Sequence, residues 1–271
     1  MTILPILDGE LDLPAEEAAP DLPPDARPTA LGQPIDPNGR IRLPVICHLV
    51  RADGRLILVD AGIGPWRWNG WARGRLDLAL GELGVRPEEI DLVVTTHLHA
   101  DHVGWCAVGG GGRDARPFFP SARYLVARRE WEHWFDAARG GDGSVAYLGD
   151  AVAPLGRHAA LDLVDGEAPI TPSLSFVATP GHTPGHVAIG IASGGERALI
   201  VGDVTHYRAQ LEHPDWSPVW DLDRAMAAVT RERIFRDLED DPAGTLVTSH
   251  WPYPGIGRIV RVRGRRVFRG L

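Results

Sequence analysis

The sequence predicts an α+β fold in which two β-sheets pack face to face with helices on their outer sides. Three observations carry that expectation. Short runs rich in Val, Ile and Leu, bounded by Gly, Pro and Asp, dominate the pattern and recur in both halves of the chain. Helical patterns are interspersed among them rather than gathered at one end. In four places a strand pattern runs straight into His or Asp, as when a rigid scaffold presents a site at its strand ends.

Residues 1–41 are rich in Pro, Asp, Glu and Ala, with the runs Asp21-Leu22-Pro23-Pro24-Asp25 and Pro34-Ile35-Asp36-Pro37. Proline interrupts both helices and strand ladders, so this stretch is expected to be an arm lying over the body or against the second subunit of a homodimer. Residues 42–271 are expected to form one domain of two similar halves. The first half opens with strands at 45–50 and 55–60, joined by a turn at Ala52-Asp53-Gly54. A short amphipathic helix at 76–83 stops at Gly84. The apolar run 92–94 is a buried strand. Gly109 to Gly112 form a glycine run with no Lys-Ser/Thr helix behind it, hence no phosphate loop. A strand at 123–127, a helix at 128–138 and a further helix within 145–154 complete this half. The second half continues with strands at 161–164, 174–178, 187–191 and 197–201. A helix at 221–238 follows, with Asp221 at its start, and the last strands are at 245–248 and 258–268.

Hydrophobic content of 44% and charged content of 24% over 271 residues are ordinary for a soluble globular chain. A net charge of −8 argues against nucleic acid as a partner, because phosphate binding needs a basic surface. Cys47 and Cys106 are the only cysteines, too few for a disulfide framework, and both read as packed thiols. No basic-then-apolar leader and no membrane-length apolar run are present, so the expected location is cytoplasmic and the expected partners exclude membranes.

The chemistry concentrates in Thr95-Thr96-His97-Leu98-His99-Ala100-Asp101-His102, directly after the strand pattern at 92–94. In an extended chain His97, His99 and Asp101 project to one side, and a turn at Asp101 lets His102 face a neighbouring site. Imidazoles and carboxylates are the ligands a zinc-type ion prefers. A solvated histidine-rich loop is the plainer alternative. It loses ground because three more strand patterns end the same way: in Pro180-Gly181-His182-Thr183-Pro184-Gly185-His186, in Gly202-Asp203 and in Ser249-His250.

This set of residues resembles the metallo-β-lactamase superfamily over nearly the whole chain from about residue 42. The resemblance implies a four-layer αβ/βα sandwich with a two-metal site at one edge of the sheets. It implies that His97, His99 and His182 hold one metal, that Asp101, His102 and His250 hold the second, and that Asp203 bridges both. His182 rather than His186 matches the family ligand, and Asp60 matches an acid that buttresses the site. The implied cofactors are two divalent ions, zinc first, with iron, manganese or cobalt as alternatives. Two such ions generate hydroxide from a bridging water near neutral pH, and Asp101 is the natural proton shuttle to the leaving group.

Within the superfamily, Gly202-Asp203-Val204-Thr205-His206, Pro214-Asp215-Trp216 and Ser249-His250-Trp251-Pro252-Tyr253 resemble the lactonase and organophosphate-hydrolase branch. N-acyl-homoserine lactonases usually carry Tyr three residues after the bridging Asp; here His206 stands there, followed by Tyr207. Either could donate to the developing negative charge. Trp66, Trp68, Trp71, Trp105, Trp216 and Trp251 lie in loops expected to reach the metal edge, where they would wall a pocket for an apolar substrate; for Trp66, Trp68 and Trp71 the alternative is that the rings fold back into the core. The expected function is therefore dinuclear metal-dependent hydrolysis of a lactone or another small apolar carboxylic ester. Alternatives are a phosphotriester hydrolase, a mononuclear iron dioxygenase of the persulfide type, and a non-catalytic sensor that keeps the fold.

Overall fold

The computed structural model describes residues 1–65, 70–110 and 112–271. Its first half runs β1 (Thr2–Pro14), α1 (Ala15–Ala18), α2 (Arg27–Leu31), β2 (Arg40–Ala52), β3 (Arg55–Val59), α3 (Leu76–Glu82), β4 (Leu92–Val94), α4 (Ala100–Val103), β5 (Ala107–Val108) and β6 (Arg116–Pro117). It continues with β7 (Arg123–Ala127), α5 (Arg128–Arg139), α6 (Tyr147–Ala151), α7 (Ala153–Arg157) and β8 (Leu161–Val164). The second half contains β9 (Leu174–Ala178), β10 (Val187–Ser193), β11 (Glu196–Ile200), α8 (Arg224–Asp240), β12 (Gly244–Val247), β13 (Ile256–Val262) and β14 (Arg265–Gly270).

Two mixed sheets result, ordered β1-β2-β3-β4-β7-β8 and β14-β13-β12-β11-β10-β9, with β5-β6 as a small separate hairpin. Strand alternation explains how they stack. Ile57, Val59, Leu92 and Val94 face inward and meet Phe176, Ile189, Ile191, Ile200 and Val247 of the second sheet. Their neighbours Leu58 and Val93 face the other way, onto Leu76 and Leu80 of α3, Trp134 of α5 and Leu148 of α6. On the far side of the second sheet, Leu246 and Ile259 pack on Ile234, Phe235 and Leu238 of α8. This is the expected four-layer arrangement. β3 and β4 are parallel, as are β11 and β12, so their C-terminal ends emerge together.

Two expectations change. Helix α8 begins at Arg224, and its cap is Asp223, whose side chain accepts from Met226 N at 2.9 Å; Asp221 precedes it and does other work. The arm expected over residues 1–41 is also corrected. Thr2–Pro14 is a strand that pairs antiparallel with β2 from Thr2↔Arg51 to Pro14↔Arg40. An edge strand tolerates the prolines because one side of its ladder is unused. The pattern is hidden because the register slips between Leu7 and Gly9. Ile6 points inward before the slip, Asp8 at it and Leu11 after it, so no single alternation spans the strand. Among the described residues no helix is long and apolar enough to cross a membrane.

Asp8 stands at the slip and faces the interior, where its carboxylate is fully buried. It accepts from Ile63 N at 2.7 Å, Leu76 N at 2.7 Å and Trp105 Nε1 at 3.0 Å. Burial pushes the carboxyl up, and these hydrogen bonds pull it back. β1 is thereby tied to the segment before α3 and to the stretch after the metal motif. Asp8→Asn turns an amide N–H₂ toward donors, and Asp8→Ala leaves all three donors without an acceptor. Either is expected to destabilise the fold by roughly 3 kcal/mol, read as a shifted urea midpoint at unchanged slope.

Candidate metal centre

Each candidate ligand sits just past the C-terminal end of a strand. His97 follows β4, His182 follows β9, Asp203 follows β11 and His250 follows β12. After β4 the chain bends at Thr96, is extended at His99 and then turns into α4, a single helical turn that carries Asp101 and His102. That turn splits the motif between two groups. His97, His99, His182 and Asp203 each bring one ligand atom to within 4.8 Å of the others, and Asp101, His102 and His250 do the same.

The hydrogen bonds fix the tautomers. His102 donates Nδ1–H to Asp60 Oδ2 at 2.8 Å, His182 donates Nδ1–H to Asp221 Oδ1 at 2.9 Å, and His250 donates Nδ1–H to the Pro44 carbonyl at 2.8 Å. The Nε2 atoms, the nitrogens left for a metal, then point at one another and at Asp203. The His102 and His250 Nε2 atoms are 3.3 Å apart, and the His182 and Asp203 acceptors 3.2 Å apart. His97 Nε2 and Asp203 Oδ1 are buried without a hydrogen-bond partner. Buried acceptors packed against acceptors call for cations between them, so the donor set fits divalent metal ions.

Protons and metal ions compete for the same place. Burial lowers His97 well below the ordinary histidine range and brings His99 down to about 3. Burial also opposes charge on His102, yet Asp203, Asp101 and Asp60 outweigh it and hold His102 well above its ordinary value; His250 is raised in the same way by Asp203. Asp203 is held well below the usual carboxylate range and Asp101 at about 2, burial being overcome by the surrounding imidazoles. An entering ion must displace the protons that His102 and His250 retain. Metal binding therefore releases protons and weakens as pH falls.

Partners behind the cluster aim it. Asp60 takes a left-handed φ of 60°, tolerable for Asp, and also accepts from Thr96 N at 2.7 Å. His186 accepts the Asp203 N–H on Nε2 at 3.1 Å and contacts Thr179 Oγ1 through Nδ1 at 2.8 Å, so it stands behind Asp203. The loop carrying His182 is pressed between the first turns of two helices. A Cβ on Gly181, at φ +137°, would come within 2.3 Å of Ala227 N, and one on Gly185 within 2.1 Å of Glu130 N. Only glycine fits at either step. Asp221 was not foreseen here, nor was Arg231, which is fully buried and donates to Asp221 Oδ2 at 2.9 Å. An acid next to a helix start carries a dipole reading that conceals this tertiary role.

A cavity of about 400 Å³ opens over His99, Asp101, Asp203, His206 and His250. Its remaining wall is mainly apolar: Leu11 and Leu13 of β1, Leu43 of β2, Trp71, Trp134, Val145 and Trp220, with Glu17, Ser144 and Tyr147 as polar members. Of the tryptophans expected here, Trp71 lines the cavity, and Trp66 and Trp68 lie outside the described residues. The other three are corrections. Trp105 is buried with its N–H on Asp8, Trp251 is buried with its N–H on Thr205 Oγ1, and Trp216 stacks on His213 with ring centroids 3.8 Å apart. Their indole N–H groups or faces found partners away from the cavity. The structure also separates the two candidate donors. His206 reaches Asp203 Oδ2 through Nε2 at 3.1 Å, and Gln210 Oε1 accepts its backbone N–H at 2.7 Å. Tyr207 instead packs among Leu11, Leu31 and Ile41, with its hydroxyl 3.4 Å from the Trp216 carbonyl, and is absent from the cavity wall.

If Asp221 orients His182, Asp221→Asn lowers affinity for a divalent ion roughly tenfold to a hundredfold. Competition against a chromophoric chelator measures it, and unchanged affinity would remove the role.

A model of the metallo-beta-lactamase superfamily matches residues 40–250. An N-acyl homoserine lactonase from a Bacillus species is 25% identical over 223 residues, which is 75% of this chain and 80% of that protein. A probable metallo-hydrolase from Mycobacterium bovis is 28% identical over 199 residues, 63% of this chain and 60% of that one. Among solved structures, the hydrolase AbOPH of the β-lactamase superfamily aligns with a TM-score of 0.85 at 25% identity, over 99% of this chain and 94% of that one. AidC, a dizinc quorum-quenching lactonase, aligns with a TM-score of 0.81 at 23% identity, over the same 99% and 94%. The matched span contains every converging His and Asp described above, and the fold agrees along the chain; the protein belongs to the metallo-β-lactamase superfamily.

Proposed function

We propose that this metal-dependent hydrolase opens lactones that carry an apolar acyl chain, using two divalent ions, zinc by preference. One observation carries the reading: two buried ligand groups meet on the floor of a cavity whose remaining wall is mainly apolar. The likeness to N-acyl homoserine lactonases, at 25% identity over 75% of the chain, supports it.

His97, His99 and His182 would hold one ion, Asp101, His102 and His250 the other, and Asp203 would serve both. When bound, the ions supply a hydroxide nucleophile near neutral pH and polarise the ester carbonyl. The residues do the rest. Asp101 lines the cavity as a carboxylate, kept ionised by His102 and His250 against burial, and from there would pass a proton to the leaving alkoxide. His206, on the same wall, holds the second Asp203 oxygen and stands beside the place where charge develops. Leu13, Leu43, Trp71 and Trp220 exclude water and take the acyl chain.

The direct test is proton release from a panel of lactones, with an aryl phosphotriester beside them. Lactone turnover is expected to vanish with chelator and return with zinc. Each added acyl methylene should lower KM about fourfold, the equivalent of burying ~0.8 kcal/mol of CH₂. Trp220→Ala should flatten that dependence. Turnover confined to the phosphotriester would move the substrate class, and one iron per chain would replace the dinuclear reading. Tyr207→Phe is expected to leave kcat within twofold, whereas His206→Phe lowers it tenfold or more; the reverse order would restore Tyr207.

A further inference from the structure

Glu130 is the third residue of α5 and is fully buried, its carboxylate surrounded by four hydrogen-bond donors. Oε1 accepts from the Leu98 backbone N–H at 3.0 Å and from the Trp134 indole N–H. Oε2 accepts from Thr183 Oγ1 at 2.7 Å and the Gly185 N–H at 3.1 Å. These contacts follow a pattern. Leu98 lies between His97 and His99, and Thr183 immediately follows His182. One carboxylate thus joins the two chain segments that supply the three imidazoles of a single group, and those segments come from different sheets. It makes no such contact with Asp101, His102 or His250. The packing leaves it no slack, since the loop approaches the α5 backbone so closely at Gly185 that a Cβ would not fit.

Four donors on two oxygens also define what the side chain must be. A carboxylate offers acceptors on both oxygens, while an amide offers one oxygen and an N–H₂. Glutamine therefore confronts one pair of donors with a third donor and loosens one of the two segments. The N-terminal turn of α5 favours the negative charge that burial alone would discourage. A structural acid could sit anywhere on this helix; this one sits where both segments end.

We propose that Glu130 is a positioning residue for the His97–His99–His182 group, setting its affinity for a divalent ion by locking the two segments together. The inference rests on the dinuclear reading. The test uses zinc alone, titrated into the metal-free full chain against a chromophoric chelator, with metal content counted per chain. Glu130→Gln is expected to keep one ion at wild-type affinity and to bind the other roughly tenfold to a hundredfold more weakly. Two backgrounds assign the weakened ion. In His250→Ala, which leaves the His97 group complete, adding Glu130→Gln weakens the retained ion by the same factor. In His99→Ala it changes the retained ion less than twofold. Thr183→Val, which removes one contact and keeps the carboxylate, should show a smaller loss in the same background, and it carries the test if Glu130→Gln does not fold. Equal losses in both backgrounds, or no loss in either, overturn the role of Glu130 while wild type still takes up two ions. A wild-type chain that takes up no zinc overturns the dinuclear reading and this inference with it.

Discussion

Imidazole nitrogens and carboxylate oxygens with lone pairs aimed at a common point repel one another, and burial weakens the screening that solvent would give them. The arrangement described here is sustainable only with positive charge at its centre, whether protons or metal ions. That requirement organises the surroundings. Three of the imidazoles give an outer N–H away: His102 to Asp60, His182 to Asp221 and His250 to the Pro44 carbonyl. The acceptors are braced in turn, Asp60 by Thr96 and Asp221 by Arg231. Orientation is thus secured two bonds away from the point where it matters.

The two sheets share the task. The first supplies the motif after β4 and, from the end of β3, the acid that braces it. The second supplies His182, Asp203 and His250 from β9, β11 and β12. Because β3 runs parallel to β4 and β11 to β12, the informative ends emerge on one edge. Face-to-face packing of Ile57, Val59 and Val94 on Phe176, Ile189 and Val247 sets how the two contributions meet. The core fixes the distance between half-sites that neither sheet could complete alone.

Much of this was legible in the sequence because the signals were local. A short β-branched run ending in His or Asp says strand and ligand at once, and the stacked sheets followed from counting such runs. What stayed hidden depended on distant partners. β1 was missed because a bulge changes its alternation midway and prolines sit in it. Trp105 and Trp251 were misplaced because an indole is as much a core residue as a pocket wall, and which it becomes depends on where its N–H finds an acceptor. Trp134 and Trp220 reach the cavity through helix and loop geometry that no spacing encodes. Asp221 and Asp223 are both acids near a helix start, yet one caps the helix and the other braces a ring; only the tertiary fold tells them apart.

β1 lays Leu11 and Leu13 along the cavity and leads to Glu17, while every converging imidazole comes from elsewhere in the chain. Chemistry and selectivity therefore occupy separable stretches of polypeptide. Exchanging this one border strand between relatives could recast what the cavity admits and leave the reacting centre untouched, provided the bulge and its inward acid travel with it. In such a scaffold, diversification can proceed from the rim of a sheet, by grafting rather than by point-by-point change around the ions.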